Sequence, residues 1–324
     1  MSGQGEAGPL RCLILSDGRR GIENQALGLA ESCAGLRPLR LQTHHMSHGS
    51  ALAALPPKVQ LRLAKFDLPD CDIAIGCGRQ VIAPLLHLKR TRPSVFTVYV
   101  QDPRLDPQLF DLVIAPDHDD LKGANVETMI GSPNRVTQTR IIGETLSFAE
   151  GLSKLPMPRT AFMIGGDSKT HKLDKASHAV HMNAAKKLLA AGQSLLISAS
   201  RRTPDFAVLD WKRLASDYDS VWFHDGQGPN PYFAFLGGAE MILVTEDSTN
   251  MLTEACGTGK PVYRLPMSGK AGKFQTLYET LQTRCHVTRY DGQLSGSDYS
   301  PLEETARIAQ QLWSRFDQAI GKGV

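Results

Sequence analysis

Residues 241–265, MILVTEDSTNMLTEACGTGKPVYRL, constrain this chain more than any other stretch. Met241-Ile242-Leu243-Val244 is a short apolar run of the kind buried on both faces of a parallel sheet. Thr245-Glu246-Asp247-Ser248 follows, rich in residues that cap helix starts. From Asn250 the spacing turns helical: Met251, Leu252 and Ala255 share one face, Asn250 and Glu254 another. Gly257 and Gly259 stop the helix, and Lys260-Pro261 leads into a strand over 262–265. A polar loop on a helix N-terminus, at the carboxyl end of a buried parallel strand, is where α/β proteins bind ligands. The expected class is therefore α/β.

The same grammar recurs along the chain. A strand over 10–15 ends in Ser16-Asp17-Gly18-Arg19-Arg20-Gly21, and helical spacing runs over 24–34. The glycines do not fit G-x-G-x-x-G, so a dinucleotide fingerprint is absent. One reading brings this loop's backbone to an anion or sugar, with Gly18, Asn24 and Gln25 alongside; the other is a plain turn that uses glycine for positive φ. A strand over 72–75 runs into Gly76-Cys77-Gly78-Arg79-Gln80, one over 94–100 into Gln101-Asp102-Pro103-Arg104, and one over 111–115 into Pro116-Asp117-His118-Asp119. Charged loops after successive strands fall on one edge of one sheet. His118, among three aspartates, is a candidate general acid or base, or a solvated turn.

Leu155-Pro156-Met157-Pro158 is a stiff, non-helical joint, and the pattern restarts after it. A strand over 159–164 meets Gly165-Gly166-Asp167-Ser168-Lys169-Thr170, a helix covers 178–191, and a strand over 194–198 meets Ser200-Arg201-Arg202-Thr203-Pro204. Two Rossmann-like β/α domains follow, 1–155 and 156–300, with an amphipathic helix over 301–324 packing across their boundary. No fixed-period repeat accompanies this duplication.

At 324 residues the chain is long enough for two cores, and a formal charge of +3 argues for no nucleic-acid partner. Six cysteines without a CxxC pair are expected as buried thiols. His44, His45 and His48, and the pair His178 and His181, lack a ligand set at metal spacing, so no metal is expected. No secretory signal and no 20-residue apolar run is visible, which points to a cytoplasmic protein, peripheral to a membrane at most. The segment 51–66 mixes Val59, Leu61 and Leu63 with Lys58, Arg62 and Lys65: a membrane-surface segment or an ordinary surface helix.

Two facing β/α domains are expected to leave a cleft. On the second-domain side the loops suit a nucleoside diphosphate. Gly165 and Gly166 permit close backbone approach, Ser168 can donate to phosphate, and Lys169, Arg201 and Arg202 add charge. Ser248 and the amides after it form an anion site, and Glu254 can accept both hydroxyls of a ribose. Ser200, Glu246, Asp247, Asn250 and Met251 lie in the same loops and complete this candidate set. Gly78, Arg79, Asp102 and Arg104 join the first loop as its counterpart.

The run DSTNMLTEACGTGKPV resembles the donor-site motif of two-domain GT-B glycosyltransferases. More specifically, SDGRRGIENQALGLAE, QDPR, FDLVIAPDHD, GGDSKTHKL and VTEDSTNMLTEACGTGKPVY, in this order, resemble the "elongated mitochondria" fission family, whose bacterial members are labelled predicted nucleoside-diphosphate-sugar epimerases. The resemblance runs from Leu13 to Arg264 and implies a GT-B-like fold. Three functions are in view. In a glycosyltransferase, an acceptor hydroxyl, of unknown or lipid-linked origin, attacks a nucleotide-activated sugar with Asp17 or Glu23 as base, and no cofactor is needed. In a sugar-nucleotide epimerase working without NAD, His118 takes part. The third is a non-catalytic adaptor, as the resemblance implies for plant members that recruit a fission dynamin at the mitochondrial surface.

Overall fold

The computed structural model describes residues 8–46 and 55–321, and it is α/β throughout. The chain divides into two compact units, Met1–Arg135 with Glu303–Val324, and Val136–Leu302. His48 and residues 51–54 of the basic segment lie outside the described residues.

The first unit is built on β1 (Leu10–Ser16), β2 (Leu39–His45), β3 (Ile73–Cys77), β4 (Phe96–Val100), β5 (Leu112–Pro116) and β6 (Val126–Met129). They form one parallel sheet in the order β2-β1-β3-β4-β5-β6. Strands β3, β4 and β5 are buried along their whole length, which is why they read as unbroken apolar runs. Period-2 alternation splits β1 between two cores. Cys12 and Ile14 face α1 (Arg20–Leu36), while Leu13 and Leu15 join a cluster with Val81, Leu85 and Leu88. The last two groups belong to a short helical turn and to α3 (Ile82–Thr91); a small helix, α2 (Pro57–Leu63), precedes them.

The second unit opens with α4 (Gln138–Ser147) and α5 (Ala149–Ser153). Strands β7 (Arg159–Ile164), β8 (His171–Lys172), β9 (Ser194–Ala199), β10 (Val221–His224), β11 (Met241–Thr245), β12 (Val262–Leu265), β13 (Ser268–Gly269) and β14 (Thr288–Arg289) follow. Six of them make a parallel sheet, β10-β9-β7-β11-β12-β14, and β8 pairs with β13 antiparallel. The helices between them are α6 (Lys175–Ala190), α7 (Asp205–Asp217), α8 (Tyr232–Gly238), α9 (Thr249–Cys256) and α10 (Phe274–Cys285). Its core centres on Phe162, Ile197, Trp211 and Leu243, all fully buried.

The unit limits differ from the sequence expectation in two ways. The joint at residues 155–158 falls inside the second unit, because α4 and α5 precede it and α4 packs on α8. Nothing local marks the true crossing near Arg135. The terminal helix α11 (Glu304–Gly321) belongs to the first unit: Ile308, Leu312, Trp313 and Phe316 enter the core beside α1 and the sheet. The Trp313 indole donates to the Cys33 carbonyl at 3.1 Å, and Arg37 stacks 4.7 Å over the same ring while pairing with Asp317. All six cysteines are free and buried. No helix among the described residues is long and apolar enough to cross a membrane.

Candidate functional site

In each sheet the strand order reverses beside the first strand. The chain leaves β1 for β2 on one side and returns to β3 on the other; it leaves β7 for β9 and β10, then returns to β11. Crevices outside the carboxyl ends of strands at such switch points are the ligand sites of open α/β sheets. Two loop sets qualify, one in each unit: the loops after β1 and β3, and those after β7 and β11.

In the first unit the loop after β1 is only residues 17–19, with Gly18 at φ 77°, because α1 already begins at Arg20. Asp17 accepts the Arg19 backbone amide at 3.1 Å and the Arg19 guanidinium at 2.8 and 2.5 Å, and its side chain has no exposed surface. The guanidinium, held by that carboxylate, stays charged above its usual range. Asp102 repeats the pattern with Arg104, through the backbone amide at 2.7 Å and the guanidinium at 3.0 Å. Both aspartates are closed by the arginine two residues on.

Glu23 is differently placed. One of its oxygens, Oε2, accepts from the buried Ser16 hydroxyl and lies 2.8 Å from His45 Nε2. The other makes no hydrogen bond among the described residues. The sequence offered His45 only as a weak metal candidate; it stands at the end of β2, which brings it beside Glu23. Gln25 is structural: buried in α1, its Oε1 accepts from Gln101 at 3.1 Å and lies 3.4 Å from Cys77 Sγ. Asn24 is half-buried one residue earlier, Gly78 takes φ 91°, and Arg79 reaches the Leu55 carbonyl at 3.4 Å. His118 follows β5 in a tight turn, 3.9 Å from Asp119. β3 and β4 separate β5 from β1, so at about 4.8 Å per strand His118 stands roughly 14 Å from the switch point. The fold does not bring it to Asp17 or Glu23.

The loops of the second unit are cross-braced. Gly165 donates to the Thr245 hydroxyl at 2.7 Å and Gly166 to Asp247 at 3.1 Å, so both amides already have acceptors. A Cβ at Gly166 would collide with the Arg202 carbonyl, and one at Gly165 with the Asp247 carboxylate. These glycines therefore allow loop-to-loop packing, where the sequence suggested room for phosphate. Thr203 ties the same loops by donating to the Gly165 carbonyl at 2.6 Å, and the Ser200 amide donates to Thr203. Ser168 organises its own turn, accepting the His171 amide at 3.0 Å.

The acidic pair is braced too. Asp247 pairs with Arg202 at 2.7 Å, and Arg202 also donates to the Gly166 and Asp167 carbonyls. The other Asp247 oxygen, Oδ1, is buried and has no hydrogen bond among the described residues. Glu246 lies between Arg289 at 2.8 Å and Arg264 at 3.3 Å, and accepts the Met267 amide at 3.0 Å. Arg202, Glu246 and Asp247 are thus bound to protein, not left open for a nucleotide as the sequence reading had them. The long-range partners from β12 and β14 could not be paired from sequence.

Four groups remain open at this edge. Lys169 and Arg201 are exposed and pair with no carboxylate among the described residues. Asn250 and Met251 are half-buried in the first turn of α9. Ser248 caps that helix, accepting the Met251 amide at 3.3 Å. The Thr249 and Asn250 amides, in the first turn, have no intrahelical acceptor, and the macrodipole points there. Further along, Glu254 accepts the Tyr232 hydroxyl at 2.5 Å. Part of the residue stays open to solvent, yet its carboxyl is densely surrounded, and that desolvation pushes it up to about 7 while the Tyr232 bond pulls it down. Burial and the neighbouring carboxylate hold the Tyr232 phenol well above its ordinary range. The remaining histidines are accounted for: His178 lies 3.2 Å from Asp210, and His181, lowered by burial to about 4, lies 2.8 Å from the Pro266 carbonyl. No group of three or more metal-ligating side chains is found among the described residues.

The sequence profile of a family described as Mitochondrial fission ELM1 matches residues 20–316. A curated relative, "Mitochondrial fission protein ELM1" of Arabidopsis thaliana, is 26% identical over 268 residues, covering 74% of this chain and 62% of the relative. This chain therefore spans less than two thirds of that relative's length. An uncharacterized protein of Rickettsia prowazekii (strain Madrid E) is 23% identical over 354 residues, covering 95% of this chain and 99% of the relative. Among solved structures, a putative UDP-N-acetylglucosamine 2-epimerase from Listeria monocytogenes superposes with a TM-score of 0.56 at 11% identity, covering 96% and 90% of the two chains. UDP-GlcNAc 2-epimerase from Methanocaldococcus jannaschii, in complex with UDP-GlcNAc and UDP, gives 0.52 at 12% identity, covering 94% and 99%. The ADP-heptose heptosyltransferase II of E. coli gives 0.50 at 12%, covering 96% of this chain and 99% of that one. These likenesses establish the GT-B-like fold.

Proposed function

The chain belongs to the mitochondrial fission ELM1 family, and from that premise we propose that it binds a nucleoside-diphosphate sugar at the β7/β11 edge of its second unit and transfers the sugar to a hydroxyl acceptor. The observation that carries this reading is the start of α9. There, open first-turn amides share an edge with exposed Arg201 and Lys169, while the charged groups around them are braced by one another. Amides and a helix dipole favour a diphosphate, and fixed donors stabilise the charge that develops on the leaving group. Glu254 then accepts the ribose hydroxyls, taking over the acceptor role it now plays toward Tyr232. Glu23 is the better base of the two candidates, since Asp17 is closed by Arg19 whereas Glu23 has one oxygen held and one open. In such a transfer the acceptor alcohol gives up its proton as the sugar–phosphate bond breaks and the nucleoside diphosphate leaves.

Thermal shift with UDP-, GDP-, ADP- and CMP-linked sugars tests the donor site. A ligand at 100 times its dissociation constant is expected to stabilise by about 2.7 kcal/mol. Failure of every nucleotide sugar to bind would end this reading. A second one, epimerisation of the bound sugar, is favoured by the likeness in fold to the UDP-GlcNAc 2-epimerases. Incubation in deuterated water separates the two, because only epimerisation leaves deuterium on the sugar carbon.

A further inference from the structure

Helix α2 is folded with its polarity inverted. Gln60 is 1% exposed, its side-chain amide donating to the Leu55 carbonyl at 2.8 Å, whereas Leu63 is 65% and Val59 36% exposed. The helix rests on α3, with Leu61 half-buried. A solitary exposed leucine is ordinary; an outward Val-Leu pair four residues apart, on a helix that turns a glutamine inward, is not. The outward face continues with Lys58 and Arg62, also four apart, and Lys65 is exposed just beyond. From 55 to 66 the chain carries three cations and no carboxylate, Asp67 being the first. None of the three pairs with an acid among the described residues.

We propose that α2 docks this protein on an anionic phospholipid bilayer. A short helix parallel to the surface lowers Val59 and Leu63 into the headgroup boundary, while the flanking Lys58, Arg62 and Lys65 meet lipid phosphates. Charge complementarity selects this occupant: a protein groove would cover the two apolar groups, but three unpaired cations around them want a continuous negative surface. Two apolar side chains and three charges give weak, reversible binding that depends on lipid composition and salt. The inference is independent of any sugar-nucleotide activity.

Cosedimentation of the full chain with vesicles tests it directly. Binding is expected to phosphatidylcholine vesicles that contain phosphatidylglycerol, with little to phosphatidylcholine alone and release as sodium chloride rises. Each cation contributes about fivefold in partitioning, so Lys58→Glu with Arg62→Glu should lower binding more than 25-fold. Val59→Ser with Leu63→Ser should lower it about tenfold, and Lys186→Glu, at an exposed position of α6, should leave it unchanged. All these positions are exposed, and an unaltered melting temperature confirms folding. A wild-type chain that stays in the supernatant with anionic vesicles overturns the proposal, as does undiminished binding by the Lys58/Arg62 variant. It also fails if Val59→Ser with Leu63→Ser turns a dimer into a monomer without affecting vesicle binding, which would make the face a contact between copies.

Discussion

The two switch-point edges hold their acidic residues in opposite ways. In the first unit, Asp17 and Asp102 are each closed by the arginine two residues downstream, so each loop is finished within three residues of sequence. In the second, Glu246 and Asp247 reach Arg202, Arg264 and Arg289, which come from three other loops or strands. A locally closed loop can rearrange without its neighbours. A cross-braced edge moves as a whole or not at all, which suits a site whose donors must be in place before the ligand arrives. By this contrast the second edge is held across several elements and the first within single loops.

Breaking the brace is the severest test. Glu246→Ala leaves Arg264 and the Met267 amide without their buried partner and is expected to cost about 3–5 kcal/mol in urea unfolding. A cost no larger than that of a local aspartate would erase the contrast. Gly166→Ala forces the Arg202 carbonyl away and should cost up to about 3 kcal/mol, with weaker nucleotide-sugar binding in titration calorimetry. Glu254→Gln sharpens the picture in the other direction. Its carboxyl holds a proton up to about 7 when folded but only to about 4.5 when unfolded, so the unfolded state ionises first and stability falls as pH rises through that window. The glutamine variant should flatten that fall and be more stable at pH 8 by on the order of 2 kcal/mol, while losing nucleotide-sugar affinity. In the wild type, affinity should weaken below about pH 7, where the carboxyl takes up its proton. The smallest effect belongs to Asp17→Asn: the asparagine oxygen can still accept the Arg19 amide, and what is lost is the pairing with a largely exposed guanidinium, expected to cost about 1 kcal/mol by thermal melting.

Sequence reading reached the architecture because the strands say what they are. Runs such as 159–164 and 262–265 are buried on both faces and coincide with β7 and β12. Ser248 as a helix cap was equally readable, since capping is a local affair. The unit limits were not. Prolines at 156 and 158 resemble a joint, yet what assigns α4 and α5 is packing on α8, some ninety residues later in the chain. The site suffered the same blindness. Residue type predicted that Gly165, Gly166, Arg202, Glu246 and Asp247 would crowd one edge, but not that they would satisfy one another. Of the partners of the two most suggestive glutamates, Tyr232 carried no signal, and His45 stood out only as one of a histidine triplet, with nothing to join it to Glu23.

The return of α11 to the first unit has a consequence for how the molecule can be taken apart. Topologically, the second unit is an insertion: the chain enters it once, leaves it once, and closes the first fold with its last helix. Cutting just before Glu304 would spare a whole Rossmann-like module, yet it would strip Ile308, Leu312, Trp313 and Phe316 from the wall of the other. The helix that seals the first unit is therefore synthesised only after the whole of the second.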